Sequence, residues 1–236
     1  MKQVLLIITA LLLLAGGILL SIKFEEALYF FVLKLGLSWV WSSILIRLLV
    51  ALCFIVALKQ IFNLFNRLKQ VKNWIVALIG IVPGFFLSFG ISPIYDIDYG
   101  MLDDKLKIEE LADLSADTNE TYLHNGNYEL IAFLDIGCAH CKMALKKLNA
   151  NILAGQTVPV QLFFHNDPED VQNFLASNNG ENITHHNLQN EEVFVKHAGY
   201  EFPSIFLINP QGETSYHWVG DEMNYSALDY LLSLEQ

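Results

Sequence analysis

Cys138-Ala139-His140-Cys141 sets two thiols one helical turn apart with an imidazole between them. Cysteines so spaced can hold a disulfide between them, take one from a partner protein, or pass one on. The attacking species in such an exchange is the thiolate, and a free thiol of pKa about 8.5 is mostly protonated at neutral pH. The start of a helix stabilises the anion, because its first N–H groups are unpaired and its dipole is positive there. On this reasoning Cys138 is the expected nucleophile, and Cys141 the thiol that resolves the mixed disulfide. His140 can stabilise the thiolate further and make the pair more oxidising. Soft thiolates also suit Cu(I), and His165, His185, His186, His197 and His217 lie in the same part of the chain. Copper handling is therefore the second expectation. A zinc site needs about four ligands, and the sequence has no second cysteine pair. No metal site and no bound organic cofactor are expected. A binding module with an incidental cysteine pair is a third, weaker reading.

The residues around the motif must form a frame that presents it. Residues 128–135 are a short, mostly apolar run suited to a buried strand. Ile136-Gly137 turns the chain. Residues 139–149 have helical spacing, with Met143, Ala144 and Leu148 on one side and lysines on the other. A second strand is expected at 158–164. A helix follows at 168–177, with Asp167 as N-cap and Pro168 at its first position, and another at 191–198. Residues 203–208 read as a strand, Asn209-Pro210-Gln211-Gly212 as a turn, 213–219 as the paired strand, and 225–234 as a closing amphipathic helix.

This α/β order resembles the thioredoxin fold over about residues 125–236. Three features in register carry the resemblance: the strand entering Cys138-Ala139-His140-Cys141, Phe202-Pro203 opening a strand, and Ile208-Asn-Pro-Gln-Gly-Glu213 at the hairpin. The extra segment between about 167 and 199 is similar to the insertion of TlpA- and ResA-like proteins. The resemblance implies a Cys138–Cys141 disulfide in the oxidised state. It also implies a cis Pro203 lying against the motif, and a Phe202 backbone able to pair with a substrate strand. Thioredoxins carry a buried acid six residues before the first cysteine; Ala132 stands there instead, which leaves Asp135 and Glu201 as the nearby acids. The x-His pair is similar to that of DsbA-like oxidants, whereas many TlpA/ResA-like proteins are reductants, so the redox direction stays open. Sco-type copper chaperones share the fold but separate their cysteines by three residues rather than two.

The front of the chain is of another kind. The 236 residues are 53% hydrophobic and 17% charged, against about 25% charged in a typical soluble domain. Residues 1–95 hold eight basic and two acidic side chains; residues 96–236 hold six basic and 23 acidic, a net of −17. Such acidity argues against nucleic acid, which is bound through clustered Lys and Arg. Residues 4–22, 39–58 and 74–94 are each long and apolar enough to span about 30 Å of hydrocarbon, and Pro83 is tolerable in such a helix. The expected architecture is an all-α region of three transmembrane helices (1–95), a linker (96–127) with a helix-like stretch at 102–114, and the thioredoxin-like domain (128–236).

Lys59, Arg67, Lys69 and Lys72, with no acid among them, mark the loop after the second helix as cytoplasmic. The domain after the third helix then lies outside, periplasmic or extracytoplasmic, on a bacterial inner membrane. A cleaved signal peptide is the other reading of the first apolar run, but no small-residue cleavage site follows it. Residues 24–37 read as an interfacial helix. Phe24-Glu25-Glu26, Leu35-Gly36-Leu37 and Ile46-Arg47-Leu48-Leu49 resemble the membrane part of DoxX/MauE-like proteins over roughly residues 1–90. Arg47 has no acid in the apolar segments to pair with. It marks either a site for an anionic or quinone-like partner, or a structural Arg capped by carbonyls or by Ser42 and Ser43. Cys53 has no membrane cysteine to pair with and reads as a packing residue. The expected partners are therefore membrane lipid, extracytoplasmic thiol or disulfide proteins, and a separate redox partner that resets the pair.

Overall fold

The computed structural model describes residues 2–64, 72–91, 126–220 and 223–234. The chain divides into two compact units, Met1–Ile94 and Tyr95–Gln236. The loop carrying Arg67 and Lys69, most of the expected linker and its helix-like stretch at 102–114 lie outside the described residues.

The first unit contains α1 (Lys2–Ile22), α2 (Phe24–Leu35), α3 (Trp39–Leu64) and α4 (Asn73–Ile91). Three of these are long and apolar enough to cross a membrane: Gln3–Ile22, Trp39–Leu64 and Asn73–Gly90. Large apolar side chains face outward along all three, among them Leu12, Trp41 and Phe86. Water would penalise such a surface, whereas lipid tails do not. Helix α3 runs six residues past the expected end at Leu58, because Lys59 and Gln60 are good helix formers. The helices pack through small residues. A Cβ on Gly80 would stand 2.7 Å from the Ile55 Cα, and one on Gly84 2.8 Å from the Ala51 Cα. These two glycines, four apart, let the backbones of α3 and α4 approach as larger residues could not.

Helix α2 buries Phe24, Leu28 and Val32 on one face and ends at Gly36, whose φ of 64° is left-handed. Arg47 is buried, and its needs are met from within the unit. Its Nη1 donates to the Ser88 carbonyl at 2.9 Å and its Nε to Ser43 Oγ at 3.4 Å. Its guanidinium lies 4.8 Å from the Phe24 ring centre and 4.4 Å from that of Phe89. These contacts favour the structural reading of Arg47: a cation held between two aromatic faces and capped by a carbonyl.

The second unit is an α/β sandwich around a five-stranded sheet. Its elements are β1 (Glu129–Phe133), α5 (Ala139–Leu153), β2 (Val160–Phe164), α6 (Pro168–Ser177) and β3 (Thr184–Asn187). They continue with α7 (Glu191–Ala198), β4 (Ser204–Ile208), β5 (Thr214–Val219) and α8 (Tyr225–Ser233). The strand order is β3-β2-β1-β4-β5. β1, β2 and β3 run parallel, while β4 and β5 are antiparallel to their neighbours. A βαβ unit joined through further elements to a ββα hairpin unit, with the first strand central, is the thioredoxin-like fold. β3 was not expected from the sequence. Thr184-His185-His186-Asn187 has no apolar face, and parallel pairing to β2 alone makes it a strand.

β1 is buried at every position because helices cover both faces. On one side Ile131, Phe133, Phe163, Phe206 and Ile208 pack with Phe194 and Ala198 of α7. Elsewhere Asn151 of α5 donates to the Leu228 carbonyl of α8 at 3.2 Å, and Leu145 of α5 meets Leu175 of α6 around Gly180. The hairpin turn is held by Asn209, whose Oδ1 accepts the N–H groups of Gln211 and Glu213, while Gly212 takes a φ of 79°.

Candidate active site

β1 ends at Phe133, and the next eight residues bring both cysteines to the C-terminal edge of the sheet. Cys138 is the N-cap of α5, in extended backbone conformation, with its Sγ accepting the Cys141 N–H at 3.4 Å. The sulfur thus sits at the N-terminal, positive end of a 15-residue helix. Cys138 is half-buried, its thiol donating to the Phe202 carbonyl at 3.4 Å. The Phe202–Pro203 bond is cis. Phe202 is fixed from behind by stacking on Phe194, ring centres 5.5 Å apart. Residues 64 positions apart therefore meet at one sulfur.

Cys141 is fully buried beneath this surface. Burial pushes its thiol well up from the ordinary range; the Asp135 N–H, 3.4 Å from Sγ, opposes this, while the Cys138 side chain and the Asp135 charge add to it. Two thiols of one motif thus sit in different environments: one half-buried on helix N–H groups, one enclosed and protonated. A pH dependence follows. The native thiol stays protonated past the pH at which an unfolded one ionises, ordinarily 9.0. The unfolded chain then binds fewer protons than the native, so stability falls as pH rises. The contribution is complete below about pH 9 and lost progressively above it. Thermal unfolding of the reduced chain should show a midpoint that drops more steeply from pH 9 upward than that of Cys141→Ser. Parallel slopes in the two proteins would refute it.

Asp135 does more than the sequence suggested. Its carboxylate accepts the Gly137 N–H at 2.8 Å, its carbonyl accepts the Cys138 N–H at 3.2 Å, and its own N–H meets the Cys141 sulfur. It shapes the turn through all three groups. Glu201, the other nearby acid, is exposed in the loop before Phe202, and His140 is exposed in the first turn of α5.

The histidines do not gather at the thiols. His165 donates to the Leu188 carbonyl at 2.9 Å and His185 to that of Ile183 at 3.3 Å. His186 lies 2.6 Å from Gln161 Oε1, and His197 is buried, stacked on Phe133. His217 stacks on Phe206 and lies 2.7 Å from Ser204 Oγ. Among the described residues no three His, Cys, Asp or Glu side chains are placed to hold a metal ion together. The Ser204–His217 pair, directly after Pro203, carried no signal in the sequence. The β4–β5 register unites residues 13 apart.

Solved structures similar to this chain include a secreted disulfide oxidoreductase of Mycobacterium tuberculosis homologous to E. coli DsbE. It is 17% identical, spans 47% of this chain and 83% of its own, and has a TM-score of 0.40. The thioredoxin domain of a Bacteroides vulgatus thiol-disulfide oxidoreductase is 15% identical over 58% of this chain and 100% of its own, with a TM-score of 0.41. StoA of Bacillus subtilis is 16% identical over 55% and 97%, with a TM-score of 0.40. No protein-family model matches the chain, and no curated protein does.

Proposed function

We propose that the chain is a membrane-anchored thiol-disulfide oxidoreductase that exchanges disulfides with extracytoplasmic proteins through Cys138 and Cys141. The observation that carries this reading is the meeting of the Cys138 sulfur with the N-terminus of α5 and the Phe202 carbonyl, directly above a buried Cys141. That asymmetry suits a two-step exchange. The Cys138 thiolate attacks a substrate disulfide, one substrate sulfur leaves as a thiolate and takes a proton, and a mixed disulfide forms. Cys141 loses its proton and attacks Cys138, closing the Cys138–Cys141 disulfide and releasing the second substrate thiolate. Run backwards, the same steps oxidise a dithiol. Cys141 ionises with difficulty, so resolution is the step that depends on a proton acceptor near Asp135.

The three apolar helices serve as a multi-pass anchor in a bacterial inner membrane, with the C-terminal unit periplasmic or extracytoplasmic and the front DoxX/MauE-like. Cys53 stands alone in that region, so electrons reach or leave the pair through a separate redox protein. The deciding experiment equilibrates the full-length protein with glutathione and dithiothreitol buffers and reads the Cys138–Cys141 couple by mass spectrometry. A potential near −120 to −180 mV, the range of about DsbA to protein disulfide isomerase, marks an oxidant or isomerase. One near about −270 mV or below marks a reductase. Failure of the pair to form a disulfide at any ratio would refute the reading.

A further inference from the structure

We propose that the groove between α7 and Tyr200 docks an extended segment of the substrate protein that carries an apolar side chain beside a Lys or Arg, two or three residues from the reacting cysteine. This rests on Cys138 being the exchanging thiol and names the kind of substrate that reaches it. The groove has a volume of about 470 Å³ and is lined by Glu191, Glu192, Val195, Lys196 and Tyr200. Tyr200 is 88% exposed. A rigid aromatic ring held out in this way offers contact area at low entropic cost, and such residues dominate binding energy at protein interfaces.

The loop that carries Tyr200 is anchored at its far end. Phe202 stacks on Phe194, and its carbonyl meets the Cys138 sulfur. Two residues of chain span at most about 7 Å, which keeps Tyr200 within that distance of Phe202 and so within reach of the side chains that flank a cysteine bonded to Cys138.

The charge of the rim selects among such segments. Glu191, Glu192 and the neighbouring Glu201 are exposed, against one cation, Lys196. Glu192 and Lys196 stand four apart on α7, where opposite charges offset one another. Glu191 and Glu201 remain, in a domain (residues 128–236) that holds 14 acidic and four basic side chains, a net charge of −10. A basic segment is drawn to this rim and an acidic one repelled. Helix stabilisation accounts for acids in the first turn of α7, but it does not account for Tyr200.

The test uses the full-length reduced protein in detergent with glutathione disulfide and two model peptide disulfides, Leu-Lys-flanked and Leu-Glu-flanked. The basic peptide should react about tenfold faster than the acidic one at low salt, and the gap should close at high salt. Glu191→Lys should narrow it, and Tyr200→Ala should lower the ratio of basic-peptide to glutathione rates about tenfold. Reaction with glutathione disulfide, but with peptide rates indifferent to flanking charge and to Tyr200, would overturn the groove while leaving the exchange activity standing. No reaction with glutathione disulfide would overturn the exchange reading and the groove with it.

Discussion

Cys141→Ser should turn the protein into a trap that accumulates a covalent adduct with its substrates, whereas Cys138→Ser should abolish exchange. The two cysteines are not interchangeable, because the fold gives them opposite surroundings. Cys138 is half-buried and placed on the N–H groups that open α5; Cys141 is sealed under it. Only Cys138 can be reached by a partner's disulfide. Loss of the nucleophile should cost on the order of 10³-fold or more in exchange rate, as removal of a group central to a multi-residue site does. Loss of the resolving thiol leaves attack intact and removes the exit, so the mixed disulfide persists until an external thiol cleaves it. Non-reducing electrophoresis with mass-spectrometric assignment of the adduct checks both. Adducts through Cys141 in the Cys138→Ser protein would show that the roles are reversed.

Phe133→Ala should destabilise the C-terminal unit by about 3–5 kcal/mol, the range for removing a buried aromatic ring. Phe133 has no exposed surface and is ringed by Phe163, Phe194 and Phe206 at centroid distances of 5.4, 5.7 and 6.0 Å, with His197 at 6.3 Å. The loss should also reach the chemistry. Phe133 ends β1, and Asp135, whose N–H meets the Cys141 sulfur, follows two residues later. Phe194, packed on Phe133, backs Phe202. Denaturant unfolding should show the loss, and alkylation of Cys141 under native conditions should speed up in the variant. Phe133→Leu should recover most of both. An unfolding midpoint within error of the parent would refute this account of the core.

Much of this was readable from residue order alone, because it rests on local chemistry. Apolar runs of about twenty residues announce helices α1, α3 and α4. The alternation of short apolar runs with Asp167, Asn209 and Gly212 announces β1, α6 and the β4–β5 hairpin, through caps and turns that act within a few residues. The cysteine pair at the start of a helix is equally local. Tertiary structure decided everything that depends on distant segments meeting. β3 is a strand only because β2 lies beside it. Arg47, ambiguous in sequence, finds its contacts only in the packed unit, at Ser88, 41 residues away, and at the rings of Phe24 and Phe89. The histidines that suggested copper are dispersed over β3, α7, β5 and the loop after β2, onto carbonyls, side-chain oxygens and aromatic faces. The difference between Cys138 and Cys141 also belongs here. Identical side chains three residues apart acquire separate surroundings because the Phe202 loop meets one and the core encloses the other. Burial and long-range hydrogen bonds are properties of the packed chain, and no spacing within a four-residue motif encodes them.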